Sequence, residues 1–172
     1  AEMHDGLVPE DVWTRMKDKA KAAGLDNMDM PVELGGRGYT TLEQAVAQEQ
    51  TGRVTNALGW CANNPQKWML EACSPEQIDR WIKPLMTGAR HECYAITEAE
   101  AGSDVDAIQS TAQLVNGGEG DHYILNGEKW HVTSANLSDY MFFQAKIADG
   151  PNKGAHALFF VDHDTPGVEI VR

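Results

Sequence analysis

Ser74-Pro75-Glu76-Gln77-Ile78-Asp79-Arg80-Trp81-Ile82-Lys83-Pro84-Leu85-Met86-Thr87-Gly88 runs into Ala89-Arg90-His91-Glu92-Cys93-Tyr94-Ala95-Ile96, and the fold turns on this junction. Ser74 can cap a helix, Pro75 needs no N–H partner at the first helical position, and Gln77 can reach back to the cap. Ile78, Trp81, Ile82 and Leu85 then follow the spacing of one helix face, and Gly88 ends the run. From Cys93 onward the apolar residues come in short strand-like runs.

Working back from the junction, the apolar period stays helical. Pro9, Glu10 and Asp11 open a helix that Gly24 closes, with Val12, Trp13, Met16 and Ala20 on one face and Lys17 and Lys21 pointing away. Met28 to Tyr39 is a Pro/Gly-rich loop. Thr40-Thr41-Leu42-Glu43 is a capping box, so a helix is expected from about Thr41 to Gly52 with Leu42, Ala45, Val46 and, at the margin, Glu49 as its inner stripe. A third helical run is expected from Ala57 to Trp60 or further, and Pro65 opens a short helix holding Trp68, Met69 and Ala72.

Working forward, strands are expected at Cys93–Ile96, Thr111–Val115, Tyr123–Leu125, Trp130–Thr133, Tyr140–Ile147, Ala157–Val161 and Val168–Val171. Asn116-Gly117-Gly118 and Asn126-Gly127 read as hairpin turns, and Ala148–Ala155 as a surface loop. The expected class is α+β: a helical N-terminal domain over 1–90, then an incomplete, antiparallel, β-barrel-like domain over 91–172. A strand ending at the last residue suggests that more chain follows.

Composition removes several functions. The 172 residues carry 14 Lys+Arg against 26 Asp+Glu, a formal net charge of -12. That balance repels nucleic acid, and no basic stripe compensates. With 42% hydrophobic residues and 5 Trp the chain can build a core. There is no apolar run of membrane-spanning length and no signal-peptide pattern, so a cytoplasmic location is expected, or the mitochondrial matrix in a eukaryote. Cys61, Cys73 and Cys93 are odd in number and widely spaced, which suits free thiols. None of the six histidines falls in a zinc-binding spacing, so no metal site is expected.

One stretch stands apart: Tyr94-Ala95-Ile96-Thr97-Glu98-Ala99-Glu100-Ala101-Gly102-Ser103-Asp104. A strand enters a run of small and hydroxyl residues that lets a backbone approach a flat or phosphorylated ligand. The plainer reading is a capped turn with Glu98 and Asp104 facing solvent.

The order of motifs resembles the acyl-CoA dehydrogenase family. Thr97-Glu98-x-x-Ala101-Gly102-Ser103-Asp104 is followed by Asn126-Gly127-Glu128-Lys129-Trp130-His131-Val132-Thr133-Ser134-Ala135. Pro31-Val32-Glu33-Leu34-Gly35-Gly36-Arg37-Gly38, Glu76 to Trp81 with Leu85 and Gly88, and Thr165-Pro166-Gly167-Val168 agree in order, so the resemblance covers Pro9 to Arg172. It implies FAD as cofactor, with Tyr94, Ile96, Thr97, Gly102, Ser103, His131, Val132 and Thr133 along the flavin and Ser103 also meeting the acyl-CoA substrate.

Within the resemblance, Thr97 hydrogen-bonds the flavin edge and Thr133 adds a hydroxyl on the ring's other side. Histidine stands at 131 where many members carry an aromatic residue; it can stack and can also hold a proton. Ile147 stands where members often place a hydroxyl. The implied reaction is α,β-desaturation of an acyl-CoA: a carboxylate base removes the α-proton and the β-hydride passes to flavin N5. That base belongs to a C-terminal helical domain of the family, so no catalytic residue is assigned here, and the 172 residues alone are expected to be inactive. Implied partners are an electron acceptor such as an electron-transfer flavoprotein and further copies in a homo-oligomer. The alternatives are an acyl-CoA oxidase or monooxygenase of the same fold, or a non-catalytic module that needs a partner chain.

Overall fold

The structure, a computed structural model, describes residues 8–53, 61–62, 65–116 and 121–171. The chain divides into two compact units, Ala1–Ala89 and Arg90–Arg172.

The first unit begins with α1 (Glu10–Ala22), which has Glu10 and Asp11 in its first turn and Lys19 and Lys21 in its last, complementing the helix dipole. Ala20 is buried. Lys17 does not point away: its Nζ lies 5.6 Å from the centre of the Trp13 ring. The Met28–Tyr39 loop folds back on itself, with Arg37 N donating to Asn27 O, Gly38 N to Met30 O and Tyr39 N to Met28 O. Gly36 is required there, because a Cβ would sit 2.1 Å from the Met30 carbonyl oxygen. Arg37 donates to Asp26 at 2.6 Å and to Lys21 O at 2.7 Å, closing the carbonyl end of α1.

Helix α2 (Thr41–Thr51) forms with both halves of its capping box in place. Its apolar stripe is not an inner one within this unit: Leu42 is 74% exposed and Val46 57%. The helical run at 57–60 lies outside the described residues. Next come α3 (Trp68–Ala72), α4 (Pro75–Gln77), a π turn (Ile78–Ile82) and α5 (Lys83–Thr87). Ser74 and Gln77 make the expected capping box. The π turn has a cause in the sequence: Pro84 has no N–H to donate back, and Lys83 N bonds Ile78 O five residues earlier. It leaves Ile82, Leu85 and Met86 buried and Trp81 at the margin under the Arg80 guanidinium.

Among the described residues, the second unit forms a sheet of five strands: β1 (Glu92–Ala95), β2 (Thr111–Val115), β3 (His122–Asn126), β4 (Tyr140–Ile147) and β5 (His156–Asp162). β4 is the centre. β5 runs antiparallel along its whole length, while its other edge pairs first with β1 and then with the start of β2. β3 closes onto β2, antiparallel. The class is α+β, and the sheet is open and mixed rather than wholly antiparallel. The chain returns to the centre by long connections, and such crossovers bring β1 and β2 parallel to β4.

Three expected features differ. Asn126-Gly127 is not a hairpin turn, because residues 127–139 cross over to β4 without pairing as a strand. Trp130–Thr133 therefore forms no strand, and His131 (φ 50°) and Ser134 (φ 66°) stand in the left-handed region, which breaks an extended run. Val168–Val171 also joins no ladder, its residues following the Thr165–Gly167 turn. Most of the Asn116-Gly117-Gly118 turn lies outside the described residues. The core of the unit holds Ala95, Ala112, Ala145 and Tyr140, all fully buried, and Phe142 and Phe160 meet 4.9 Å apart.

Candidate functional site

β1 ends at Ala95, and the chain then makes a tight turn in which Glu98 N bonds Ala101 O and Ala101 N bonds Glu98 O. The crossover 127–139 comes alongside, and Trp130 N donates to Thr97 O at 2.8 Å. The two stretches singled out in the sequence are thus brought together, touching at Thr97 and Trp130.

The residues singled out in the sequence as candidates lie on these two stretches. Ile96, Thr97 and Val132 are half-buried, whereas Gly102, Ser103, His131 and Thr133 are exposed. The His131 ring stands edge-on to Trp130, with centroids 5.9 Å apart. Trp130 is itself fixed by its indole N–H, which donates to Glu128 at 2.7 Å. Tyr94 is 49% exposed, and its hydroxyl donates to Gln144 Oε1. The Gln144 amide nitrogen meets His156 Nδ1 at 2.8 Å, and His156 Nε2 lies 3.4 Å from Asp106. Desolvation pushes the Tyr94 phenol above its ordinary pKa.

Glu98 does not face solvent. It pairs with Lys129 at 2.7 Å, the two side chains being 9% and 5% exposed. Its carboxylate also accepts from Gln109 N (2.6 Å), Ser110 N (3.0 Å) and the Ser110 hydroxyl. Burial pushes the Glu98 carboxyl up, but these donors outweigh it and hold it at about 2. Lys129 also donates to Ile96 O at 3.1 Å and sits 5.0 Å from the centre of the Phe143 ring. Ser110 is backed by Gly127, whose missing side chain makes room for it.

Sequence reasoning missed Glu98, Lys129 and Ser110. One signal was present: Lys129 is the only Lys or Arg between Arg90 and Lys146, within a strongly acidic stretch. A lone cation among many carboxylates has a preferred partner.

Among the described residues, no group of three or more His, Cys, Asp or Glu could hold a metal ion. No described helix is long and apolar enough to cross a membrane.

Known proteins are similar to this chain. Residues 1–89 match the acyl-CoA dehydrogenase N-terminal domain and residues 93–172 the acyl-CoA dehydrogenase middle domain. The chain is 35% identical over 157 residues to the human mitochondrial short-chain specific acyl-CoA dehydrogenase, covering 88% of this chain and 37% of that protein. It is 30% identical to the caffeyl-CoA reductase-Etf complex subunit CarC of Acetobacterium woodii, covering 89% of this chain and 40% of the relative. A solved acyl-CoA dehydrogenase from Bacillus anthracis, complexed with FAD, superposes with a TM-score of 0.70 at 30% identity, covering 91% of this chain and 26% of that one. The chain thus spans about two fifths of the length of these two curated relatives, and on both domain matches it belongs to the acyl-CoA dehydrogenase family.

Proposed function

We propose that this chain forms one wall of the flavin and acyl pocket of an FAD-dependent acyl-CoA dehydrogenase that desaturates an acyl-CoA thioester between its α and β carbons. The observation that carries the reading is the junction of Thr97 with Trp130, which sets two hydroxyl-bearing segments side by side. The residues present suit a flavin. A flat heteroaromatic ring needs an apolar or aromatic face and hydrogen-bonding groups at its edge. Val132 and the exposed His131 ring supply the first; Thr97, Thr133 and Ser103 supply the second.

Bound here, the flavin would supply the acceptor for a hydride. The chain's residues do the rest of the holding. Tyr94 and Ile96 lead the strand to the seam, the hydroxyls of Thr97 and Thr133 fix the ring edge, and the turn at Gly102 and Ser103 leaves room for cofactor or thioester. A Cβ at Gly102 would meet open space, so approach from that side is unhindered. Fixed hydrogen-bond donors at the ring edge favour the reduced form and raise its potential. Glu98 is not the proton-abstracting base. Its oxygens are occupied by four donors, and a carboxyl held at about 2 binds a proton poorly. The base is assigned to polypeptide other than these residues.

An electron-transfer flavoprotein is the proposed acceptor; one relative is named as a subunit of a reductase-Etf complex. Assembly as a homo-oligomer and a cytoplasmic or mitochondrial-matrix location complete the reading. The experiment is flavin retention by the full-length protein. The purified protein is expected to carry FAD, and Thr97→Val is expected to lower FAD occupancy and shift its reduction potential. Unchanged occupancy and potential in Thr97→Val would overturn the role given to Thr97.

A further inference from the structure

The crossover that carries His131, Val132 and Thr133 shares no strand ladder with β1. Its spacing from the Thr97 segment must come from elsewhere. Three consecutive residues on one side are tied to two consecutive residues on the other: Lys129 Nζ bonds Ile96 O, Trp130 N bonds Thr97 O, and Lys129 Nζ bonds the Glu98 carboxylate. Glu98 is anchored in turn by the backbone N–H groups of Gln109 and Ser110 and by the Ser110 hydroxyl, ahead of β2. A buried ion pair seldom repays its desolvation cost against an apolar pair of the same size. An apolar pair would fill the space but could hold neither the Ile96 carbonyl nor the N–H groups of Gln109 and Ser110.

We propose, resting on the flavin reading above, that Glu98 and Lys129 are positioning residues: the pair sets the separation of the Thr97 segment from the His131–Thr133 segment, and through it the affinity and potential of the flavin between them. Lys129 does the larger share, because its one ammonium group bridges a carboxylate and a main-chain carbonyl of the opposite segment. Phe143 covers it at 5.0 Å and keeps competing water away.

The test uses the full-length protein and four variants: Lys129→Met, Lys129→Arg, Glu98→Gln and, as a control for general loosening of the sheet, Arg90→Met. Arg90 pairs with Asp162 at 2.6 Å, another part-buried ion pair of the same unit. Lys129→Met is expected to weaken FAD binding by about tenfold, the usual scale for losing one hydrogen bond to a charged group, and to shift the reduction potential. Lys129→Arg, which keeps the charge and can reach both acceptors, is expected to restore both. Glu98→Gln, which keeps the shape, is expected to fall between, and it carries the test if Lys129→Met does not fold. FAD affinity and potential unchanged in Lys129→Met or Glu98→Gln would overturn the proposal, and so would an equal loss in Arg90→Met.

Amide exchange separates this proposal from the flavin reading. In flavin-free protein, Lys129→Met is expected to speed exchange at the Trp130 N–H at least severalfold relative to the Val161 N–H, whatever cofactor the protein carries. If the unaltered protein binds no flavin, the flavin reading fails and exchange alone decides whether the pair holds the segments. An unchanged Trp130 rate would then overturn it.

Discussion

Gly127 lies against Ser110 so closely that a Cβ on it would fall 2.1 Å from Ser110 Oγ and 2.6 Å from Ser110 Cβ. This contact is where β3 gives way to the crossover, and Ser110 is the residue that anchors Glu98. Any side chain at 127 pushes on the anchor of the ion pair. Gly127→Ala is expected to cost about 1–3 kcal/mol, the range for overpacking a fixed site. Urea unfolding of the purified protein measures this, and a midpoint equal to that of the unaltered protein would show that the crossover relaxes freely.

On the proposed flavin reading, His131 separates stability from binding. Its φ of 50° costs a non-glycine residue about 1 kcal/mol, a strain that glycine would relieve at an entropic cost of similar size. His131→Gly is therefore expected to leave the melting temperature within a few degrees of the parent while FAD affinity falls, because the exposed ring is lost. A melting temperature that drops in step with affinity would mean that the ring supports the fold instead.

The helices were legible in the sequence because their signals are local. Ser74 with Gln77 and Thr40 with Glu43 form the reciprocal caps their spacing implies. The strands at β2 and β4 were legible for the same reason. Sheet order was not, since parallel pairing onto β4 depends on where a thirteen-residue crossover leads, and no local pattern records that. The run Trp130–Thr133 looks like a strand in sequence, yet a left-handed residue at 131 breaks it. The candidate site was half legible: hydroxyl and small residues marked the two segments, while the pair that joins them was hidden by a separation of 31 residues.

Helix α2 shows the limit of amphipathic reasoning. Leu42 and Val46 follow helical spacing, but spacing shows only that a face is apolar, not what covers it. In this chain alone, Leu42→Ala and Val46→Ala are expected to change stability by less than about 0.5 kcal/mol, as exposed positions do. Thermal unfolding of the 172-residue chain checks this, and a loss of core-like size at either position would show that the stripe is buried.

Tyr94, Gln144 and His156 form a relay across β1, β4 and β5 in which only Gln144 is buried. Removing the Tyr94 hydroxyl leaves the buried Gln144 oxygen without that donor. Tyr94→Phe is expected to cost about 1 kcal/mol. Gln144→Met in the Tyr94→Phe background should recover part of it, because no buried amide then needs a partner. A double-mutant cycle by urea unfolding measures the coupling, and strict additivity would show that the two side chains act independently.

Glu98 makes the acid stability of the protein predictable. Its folded pKa is depressed to about 2 from an ordinary value of 4.5, so the unfolded chain takes up the proton first as pH falls. The stabilisation is fully present above about pH 4.5, shrinks as pH falls toward 2, and is gone below the folded value; a shift of this size corresponds to about 3 kcal/mol. Glu98→Gln removes the titrating group. It should be less stable than the parent at pH 6, with the gap closing progressively between about pH 4.5 and 2. Urea unfolding of the two proteins at stepped pH values measures the difference, and a gap that stays constant across that window would show that Glu98 titrates alike in both states.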